Sequence, residues 1–225
     1  MRVKFRHEWK YEINYMDFLT LRTRLSAVMQ RDEHAADGTY EIRSLYFDNP
    51  ADKALREKLD GVNKREKFRV RLYDNDTSVI FLEKKSKWNS LCSKESTRVT
   101  EREVRELLRG ELDWMKDTDR PLCTELYEKM ICQGLRPKTI VDYTREPFVF
   151  APGNVRVTLD YDIRTGLQCT ELFDPGTVTV PASGNPILLE VKWDEYLPDV
   201  IRQAVSLEAR RPGAFSKYAQ CRIYG

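Results

Sequence analysis

Histidine is nearly absent: 225 residues contain only His7 and His34. No HExxH occurs, which removes the zinc-protease arrangement, and the absence of GxxxxGK[ST] and GxGxxG removes the phosphate-loop and dinucleotide folds. The five cysteines (Cys92, Cys123, Cys132, Cys169 and Cys221) are odd in number, widely spaced and without a CxxC. They indicate neither a disulfide framework nor a zinc site, and a reducing cytoplasmic setting is expected. The opening residues lack the apolar core of a signal peptide, and no stretch approaches the roughly 18 apolar residues of a membrane span. Docking on a separate membrane protein stays open. Net charge is only +2 with a pI of about 8.2, so composition gives no case for a nucleic-acid partner. An anion site must come from where the charges sit.

No repeat, low-complexity run or Pro/Gly/Ser linker divides the chain, and one domain spanning 1–225 is expected. Alternating apolar and polar runs predict strands at 4–13, 41–48, 66–73, 78–86, 139–145, 155–162 and 187–193. Helical spacing covers 15–30, with Phe18, Leu21, Leu25 and Val28 on one face. Thr100 and Glu103 form a capping box for a helix ending at Gly110. Further helices are expected at 122–133, stopped by Gly134, and at 198–210, stopped by Pro212 and Gly213. The stretch 170–186 reads as a turn-rich excursion. The expected class is α+β: an antiparallel sheet with helices outside it.

Alternate side chains of a strand point to opposite faces, and here the sorting is clean. Phe68, Val70 and Leu72 oppose Lys67, Arg69, Arg71 and Tyr73. Phe5, His7, Trp9 and Tyr11 oppose Arg6, Glu8, Lys10 and Glu12. Ile80 and Leu82 oppose Phe81, Glu83, Lys85 and Lys87; Val155, Val157 and Leu159 oppose Arg156, Thr158 and Asp160; Leu189, Val191 and Trp193 oppose Leu188, Glu190 and Lys192. One such strand fits a sheet with one wet face, but five faces dominated by Arg and Lys suggest a barrel with apolar faces outward and a basic interior. Close cation pairs there repel by about 4 kcal/mol at an effective dielectric near 20, which phosphate oxygens and a divalent cation would relieve. Truncating Lys10 or Arg71 is therefore expected to ease strain in the empty barrel. Arginine forks pair bidentately with phosphate, and lysine supplies adjustable charge.

In order along the chain stand Arg6-His-Glu8-Trp-Lys10-Tyr11, Ser44-Leu-Tyr46-Phe47-Asp48-Asn49, Arg69-Val-Arg71 and Phe81-Leu-Glu83-Lys-Lys85. Lys94 and Arg98 follow, then Tyr143-Thr-Arg145-Glu-Pro147-Phe148, Arg156-Val-Thr-Leu-Asp160, Leu189-Glu190-Val-Lys192 and Phe215-Ser216-Lys217-Tyr218. Together they resemble the triphosphate tunnel metalloenzymes, and within them the polyphosphate-polymerase catalytic domain of the vacuolar transporter chaperone (VTC) type. The resemblance implies a β-barrel tunnel that moves the γ-phosphoryl group of ATP onto inorganic polyphosphate and releases ADP. It assigns Lys10, Arg69, Arg71, Lys85, Lys94, Arg145, Arg156, Lys192 and Lys217 to phosphate contacts. Lys10, Arg69, Arg71 and Glu190 form its catalytic set, with Glu190 on Mn²⁺ or Mg²⁺. Lys84 is the alternative to Lys85, but alternation places Lys85 with Glu83. A stand-alone catalytic domain is expected, any coupling to transport coming from another polypeptide. Two rivals remain: a tunnel triphosphatase using Glu8 or Glu83 to position water, and a non-catalytic polyphosphate- or nucleotide-binding module. His7, Trp9, Trp88, Trp114 and Trp193 are expected to pack or line the rim, and Arg210-Arg211 to form a solvated helix end.

Overall fold

In the computed structural model, which describes residues 6–35, 37–88, 91–208 and 210–223, the strands are β1 (His7–Ile13), β2 (Gln30–Arg31), β3 (Tyr40–Asp48), β4 (Arg65–Tyr73), β5 (Asp76–Trp88), β6 (Leu91–Val99), β7 (Arg136–Phe150), β8 (Val155–Thr165), β9 (Val180–Pro181) and β10 (Ile187–Trp193). The α-helices are α1 (Tyr15–Val28), α2 (Lys53–Leu59), α3 (Glu101–Arg109), α4 (Pro121–Gln133), α5 (Asp199–Ala204) and α6 (Lys217–Ile223). Phe5 and the start of the first expected strand lie outside the described residues. Among those residues, no helix is long and apolar enough to cross a membrane.

The period-2 pattern is realised as one antiparallel sheet in the order β1-β10-β8-β7-β3-β4-β5-β6, with β2 on β7 and β9 on β8. It curls until its two edges meet at an antiparallel bridge, Arg6 to Cys92. Farther along the free edge of β1, the Gly213 amide donates to the Lys10 carbonyl at 2.8 Å. The apolar faces point outward, under the helices. Phe18, Leu21, Leu25 and Ile201 cover Phe148, Val157, Leu159, Leu189 and Val191 on one side. Val104, Leu107, Leu122 and Leu126 cover Leu45, Val70, Leu72, Ile80 and Leu82 on the other. The expected capping box of α3 is present, and Asn14 with Asp17 forms a second one on α1, each cap contributing about 1 kcal/mol. Gly153 sits at φ +74 in the β7–β8 turn, where a Cβ would stand 2.5 Å from the Tyr196 carbonyl oxygen, so only glycine fits.

The chain departs from the sequence-based reading chiefly at β6, α2, α6 and the end of α5, and it adds the two-residue strands β2 and β9, too short for any alternation to show. β6 carries Leu-Cys-Ser-Lys-Glu-Ser-Thr-Arg-Val, too polar to show alternation, yet it pairs with β5 from Ile80/Val99 to Trp88/Leu91. α2 and α6, seven residues each, are too short for a periodic signal. The helix expected over 198–210 stops at Ala204. Beyond it the backbone is held by tertiary partners instead: Arg24 donates to the Ser206 carbonyl at 3.0 Å, and Arg210 pairs with Asp17 at 2.7 Å. Arg210 is therefore an ion-paired tether, not a solvated helix end.

α6 turns back into the barrel and closes one end. Tyr218 is 1% exposed and packs with Ile42, Tyr46, Val141, Tyr143, Ile163 and Leu188 on the inner face. Its hydroxyl donates to Asp48 at 2.6 Å, and its ring stacks on Tyr46 at 5.1 Å. The preceding Lys217 reaches the fully buried Asp160 at 2.6 Å, and Arg145 holds the same carboxylate through Nε and Nη2 at 2.6 and 2.7 Å.

Burial alone would raise the Asp160 carboxyl, but Arg145 and Lys217 outweigh it and hold it at about 2. A depressed carboxyl contributes stability that is complete above its unfolded value of about 3.9 and is lost as pH falls through the folded value. Unfolding midpoints measured from pH 6 downward should therefore fall between about pH 4 and pH 2. Asp160→Asn should flatten that part of the profile while losing about 3 kcal/mol or more at neutral pH, because two buried cations lose their partner. An unchanged acid limb in the variant would remove Asp160 from this role.

Candidate functional site

Strand parity decides which charges enter the barrel. Arg69 pairs in register with Glu83 and Tyr46, Arg71 with Ser44, Lys67 with Lys85, and Lys85 with Lys94. On the far wall Lys10 pairs with Glu190, Glu190 with Thr158, Lys192 with Arg156, and Arg145 with Asp160. All ten residues assigned from sequence, Lys217 from α6 included, thus come together on one interior surface. Lys84 faces outward, 2.6 Å from Glu125 on α4. His7 stacks on Trp193 at 5.3 Å on the outer face, Trp9 meets Trp193 edge-on at 4.7 Å, and Trp88 is exposed at the end of β5.

The interior cations are not bare. Glu83, 2% exposed, takes Arg69 at 2.6 Å, Arg71 at 3.6 Å and Lys94 at 2.9 Å. Burial would raise its carboxyl, but these three cations keep it well below the usual carboxylate range. Glu190 takes Lys192 at 2.9 Å, Lys10 at 3.2 Å and Arg145 at 3.7 Å. Glu8 beside it takes Lys85 at 3.0 Å, Lys10 at 3.5 Å and Lys192 at 3.6 Å. Lys192, Lys10 and Lys85 outweigh burial and hold Glu190 well below its ordinary value as well. Burial would lower the Lys10 ammonium, but Glu190 and Glu8 raise it instead. The expectation that truncating Lys10 or Arg71 relieves repulsion is therefore corrected: Lys10 pairs with Glu190 and Glu8, and Arg71 with Glu83, so removing either takes a counter-charge from a buried carboxylate that keeps its other cations.

Several cations are also anchored by neutral hydroxyls. Arg71, 4% exposed, donates to Ser44 Oγ and to the Tyr143 hydroxyl at 3.1 Å each. Arg69 donates to the Tyr46 hydroxyl and Arg156 to the Tyr40 hydroxyl, both at 2.8 Å. Arg156 also pairs with Asp32 at 3.0 Å. Lys67, which the sequence analysis placed on this face without a role, donates to Ser216 Oγ at 2.9 Å and pairs with no carboxylate among the described residues. Burial, then Lys58, Arg65, Lys10 and Lys85, push its ammonium down to about 7. Its position two residues before Arg69 was the available signal, as Glu8's position two before Lys10 was for the second carboxylate. The tyrosine anchors carried no such signal.

Two interior polar atoms are buried without a hydrogen-bond partner: Thr158 Oγ1 and Arg156 Nε. Both belong to the inner face of β8, beside Glu190 and Lys192. Orphaned donors in an already cationic enclosure suit a ligand oxyanion. Side-chain exposure rises from 5% at Arg71 to 36% at Lys85, 37% at Arg156 and 55% at Lys94, so solvent reaches the site away from the α6 plug. Among the described residues no group of three His, Cys, Asp or Glu could hold a metal. Glu8 and Glu190 supply two carboxylates instead, a hard oxygen set matching the one or two carboxylates plus substrate phosphates by which Mg²⁺ is commonly bound. The donors present thus fit such an ion in company with phosphate.

Three comparisons place the chain beside known proteins. A Pyrococcus horikoshii protein, PH1012, shares the fold at a TM-score of 0.51 and 13% identity, over 96% of this chain and 99% of that one. A Bacillus halodurans protein provisionally assigned as an adenylate cyclase aligns at a TM-score of 0.49 and 12% identity, over 85% and 82% of the two chains. An 83-residue stretch, 37% of this chain, is 30% identical to the RNA-directed RNA polymerase L of Sonchus yellow net virus but covers 4% of that protein's length. The match that spans the barrel from first strand to plug is to the family model described as VTC domain, over residues 5–223, and on that match the chain belongs to the VTC domain family.

Proposed function

We propose that this barrel is a metal-dependent polyphosphate polymerase, transferring the γ-phosphoryl group of ATP to the end of an inorganic polyphosphate chain. The observation that carries the reading is the interior itself: ten cations (Lys10, Lys67, Arg69, Arg71, Lys85, Lys94, Arg145, Arg156, Lys192 and Lys217) stand around the carboxylates Glu8, Glu83, Asp160 and Glu190. This excess fits a polyanion. Membership of the VTC family supports the same substrate class.

Phosphoryl transfer asks the protein mainly for positioning and charge neutralisation. Arg69 and Arg71, fixed by Tyr46, Ser44 and Tyr143, would hold the transferred phosphoryl and its neighbours. Lys10, Lys85, Lys94, Arg145, Arg156, Lys192 and Lys217 would hold flanking phosphates. A Mn²⁺ or Mg²⁺ ion on Glu190 and Glu8 would neutralise phosphate oxygens when bound. The bond from the γ-phosphorus to the β-bridging oxygen breaks, ADP leaves, and a terminal oxygen of the acceptor forms the new phosphoanhydride. An anionic acceptor has no proton to give up, so no general base is needed. That agrees with Glu83 being clamped by three cations, a poor condition for the water activation a triphosphatase would ask of it.

Purified protein incubated with ATP and Mn²⁺ should produce ADP and a polymer ladder on a sizing gel. Release of inorganic phosphate with no polymer would favour the triphosphatase, and unchanged nucleotide a binding module. Glu190→Gln should abolish turnover and weaken Mn²⁺ binding followed by electron paramagnetic resonance; undiminished binding of the ion would remove Glu190 from the metal site. Inorganic triphosphate should raise the melting temperature, a ligand at 100 times its dissociation constant adding about 2.7 kcal/mol, and less so as salt screens the charges. Lys10→Ala and Arg71→Ala should shrink that shift and also lower the melting temperature of the ligand-free protein. The basic-interior reading fails if triphosphate gives no shift in wild type at low salt.

A further inference from the structure

Like charges stand opposed at Lys192 and Arg156 on the far wall, where Asp32 and Glu190 compensate them, and again, with less compensation, at the start of β4. Deeper in, charges alternate across the strands, as with Arg69 opposite Glu83. Toward the start of β4 they do not: Lys67 stands opposite Lys85, which stands opposite Lys94, and Arg65 stands opposite Lys87. Directly opposed like charges destabilise a sheet, so the arrangement has a cost in the ligand-free fold. The sequence could have relieved it with a glutamate at position 65 or 87, as it does at 83.

Lys58 of α2 joins this row from outside the sheet. Its ammonium donates to the Ala214 carbonyl at 3.0 Å, in the segment whose Gly213 amide bonds the Lys10 carbonyl. Lys67 donates to Ser216 in the same segment, and Arg65 donates to the Val62 carbonyl at 2.6 Å. Every one of these acceptors is neutral. Among the described residues, none of Lys58, Arg65, Lys67 and Lys87 pairs with a carboxylate, whereas Lys85 and Lys94 next to them reach Glu8 and Glu83. The four are close enough to affect one another. Burial together with Arg65, Lys87 and Lys10 lowers the Lys58 ammonium, and Lys67 is depressed by Lys58 and Arg65 among others.

We propose that Lys58, Arg65, Lys67 and Lys87 form a second anion site, continuous with the interior track, that holds the part of a long polyphosphate chain lying beyond the phosphates at Arg69 and Arg71. Arg65 stands four residues from Arg69, about 13 Å along the strand, so a triphosphate held at Arg69 and Arg71 reaches no farther than Lys67, and only a longer chain reaches Arg65 and Lys87. Neutral anchors fix Lys58, Arg65 and Lys67 in place without neutralising them, Lys87 stands opposite Arg65, and chain phosphates supply the missing charge. The site would favour retention of a growing product over release of short ones. This inference rests on the polyphosphate reading above.

The test compares the affinity of inorganic triphosphate with that of long-chain polyphosphate, by calorimetry at fixed low salt, for wild type and for the double variant Arg65→Gln/Lys87→Gln. Neither residue has a carboxylate to strand, and circular dichroism checks the fold; Lys58→Gln, outside the sheet, serves as an independent second variant. Wild type should bind the long chain more tightly than triphosphate. The double variant should lose about tenfold or more of the long-chain affinity, with a shallower salt dependence, while triphosphate affinity stays unchanged. Equal losses for both ligands, or no loss for either, would overturn the second site. A wild type that binds triphosphate but gains nothing from chain length overturns this proposal alone, whereas one that binds neither overturns the functional reading with it.

Discussion

Carboxylates enclosed among a larger number of cations are the constraint around which this molecule is arranged. Most of these acids are shared: Glu83 among Arg69, Arg71 and Lys94, Glu190 among Lys192, Lys10 and Arg145, Glu8 among Lys85, Lys10 and Lys192, Asp160 between Arg145 and Lys217. Burying an ion costs several kcal/mol, and partners must repay it. With fewer acids the ligand-free barrel would be strongly repelled; with as many acids as cations it would have no use for an anion. The observed ratio lies between, so the interior keeps an excess of positive charge after its own acids are paired.

The outer faces make that interior affordable. Leu21, Leu25, Val157, Leu159, Leu189, Val191 and their counterparts under α3 and α4 are almost wholly buried, and each fully buried aliphatic side chain contributes about 1.5–3 kcal/mol. The hydrophobic core is thus displaced from the centre of the barrel to two layers between sheet and helices. Alternation alone enforces this, since a one-residue slip of any strand would put arginines under the helices and leucines among the carboxylates.

This is also why so much of the architecture was legible. Alternation in β4, β5, β8 and β10 identified the inner faces, and it separated Lys85, inside near Glu8, from Lys84, outside on Glu125. What escaped had no local signal. β6 is a strand because β5 offers it a partner, not because its own residues alternate. α6 is seven residues long, and its entry into the barrel depends on Asp48, Asp160 and Tyr46, which lie 57 or more positions away in sequence. The helix expected past Ala204 loses to contacts with Asp17 and Arg24 of α1 and with the β1 edge. A periodic pattern cannot weigh such non-local bonds.

The hydroxyl anchors make a last distinction between two ways of holding a cation. A carboxylate fixes an arginine but cancels its charge. A tyrosine or serine hydroxyl fixes it and leaves the charge whole. Arg71 sits on Ser44 and Tyr143, 3.6 Å from the Glu83 that Arg69 and Lys94 hold more closely, while Lys67 relies on Ser216 alone for a polar partner among the described residues. In the proposed function these side chains are held in place before an anion arrives, which would leave little reorganisation for the moment of binding. Arg69 and Arg156 combine both kinds of anchor, a tyrosine hydroxyl and a carboxylate, whereas Arg71 leans mainly on hydroxyls. The aromatic residues of the inner wall, Tyr40, Tyr46 and Tyr143, are therefore part of the charged site as much as the arginines they carry.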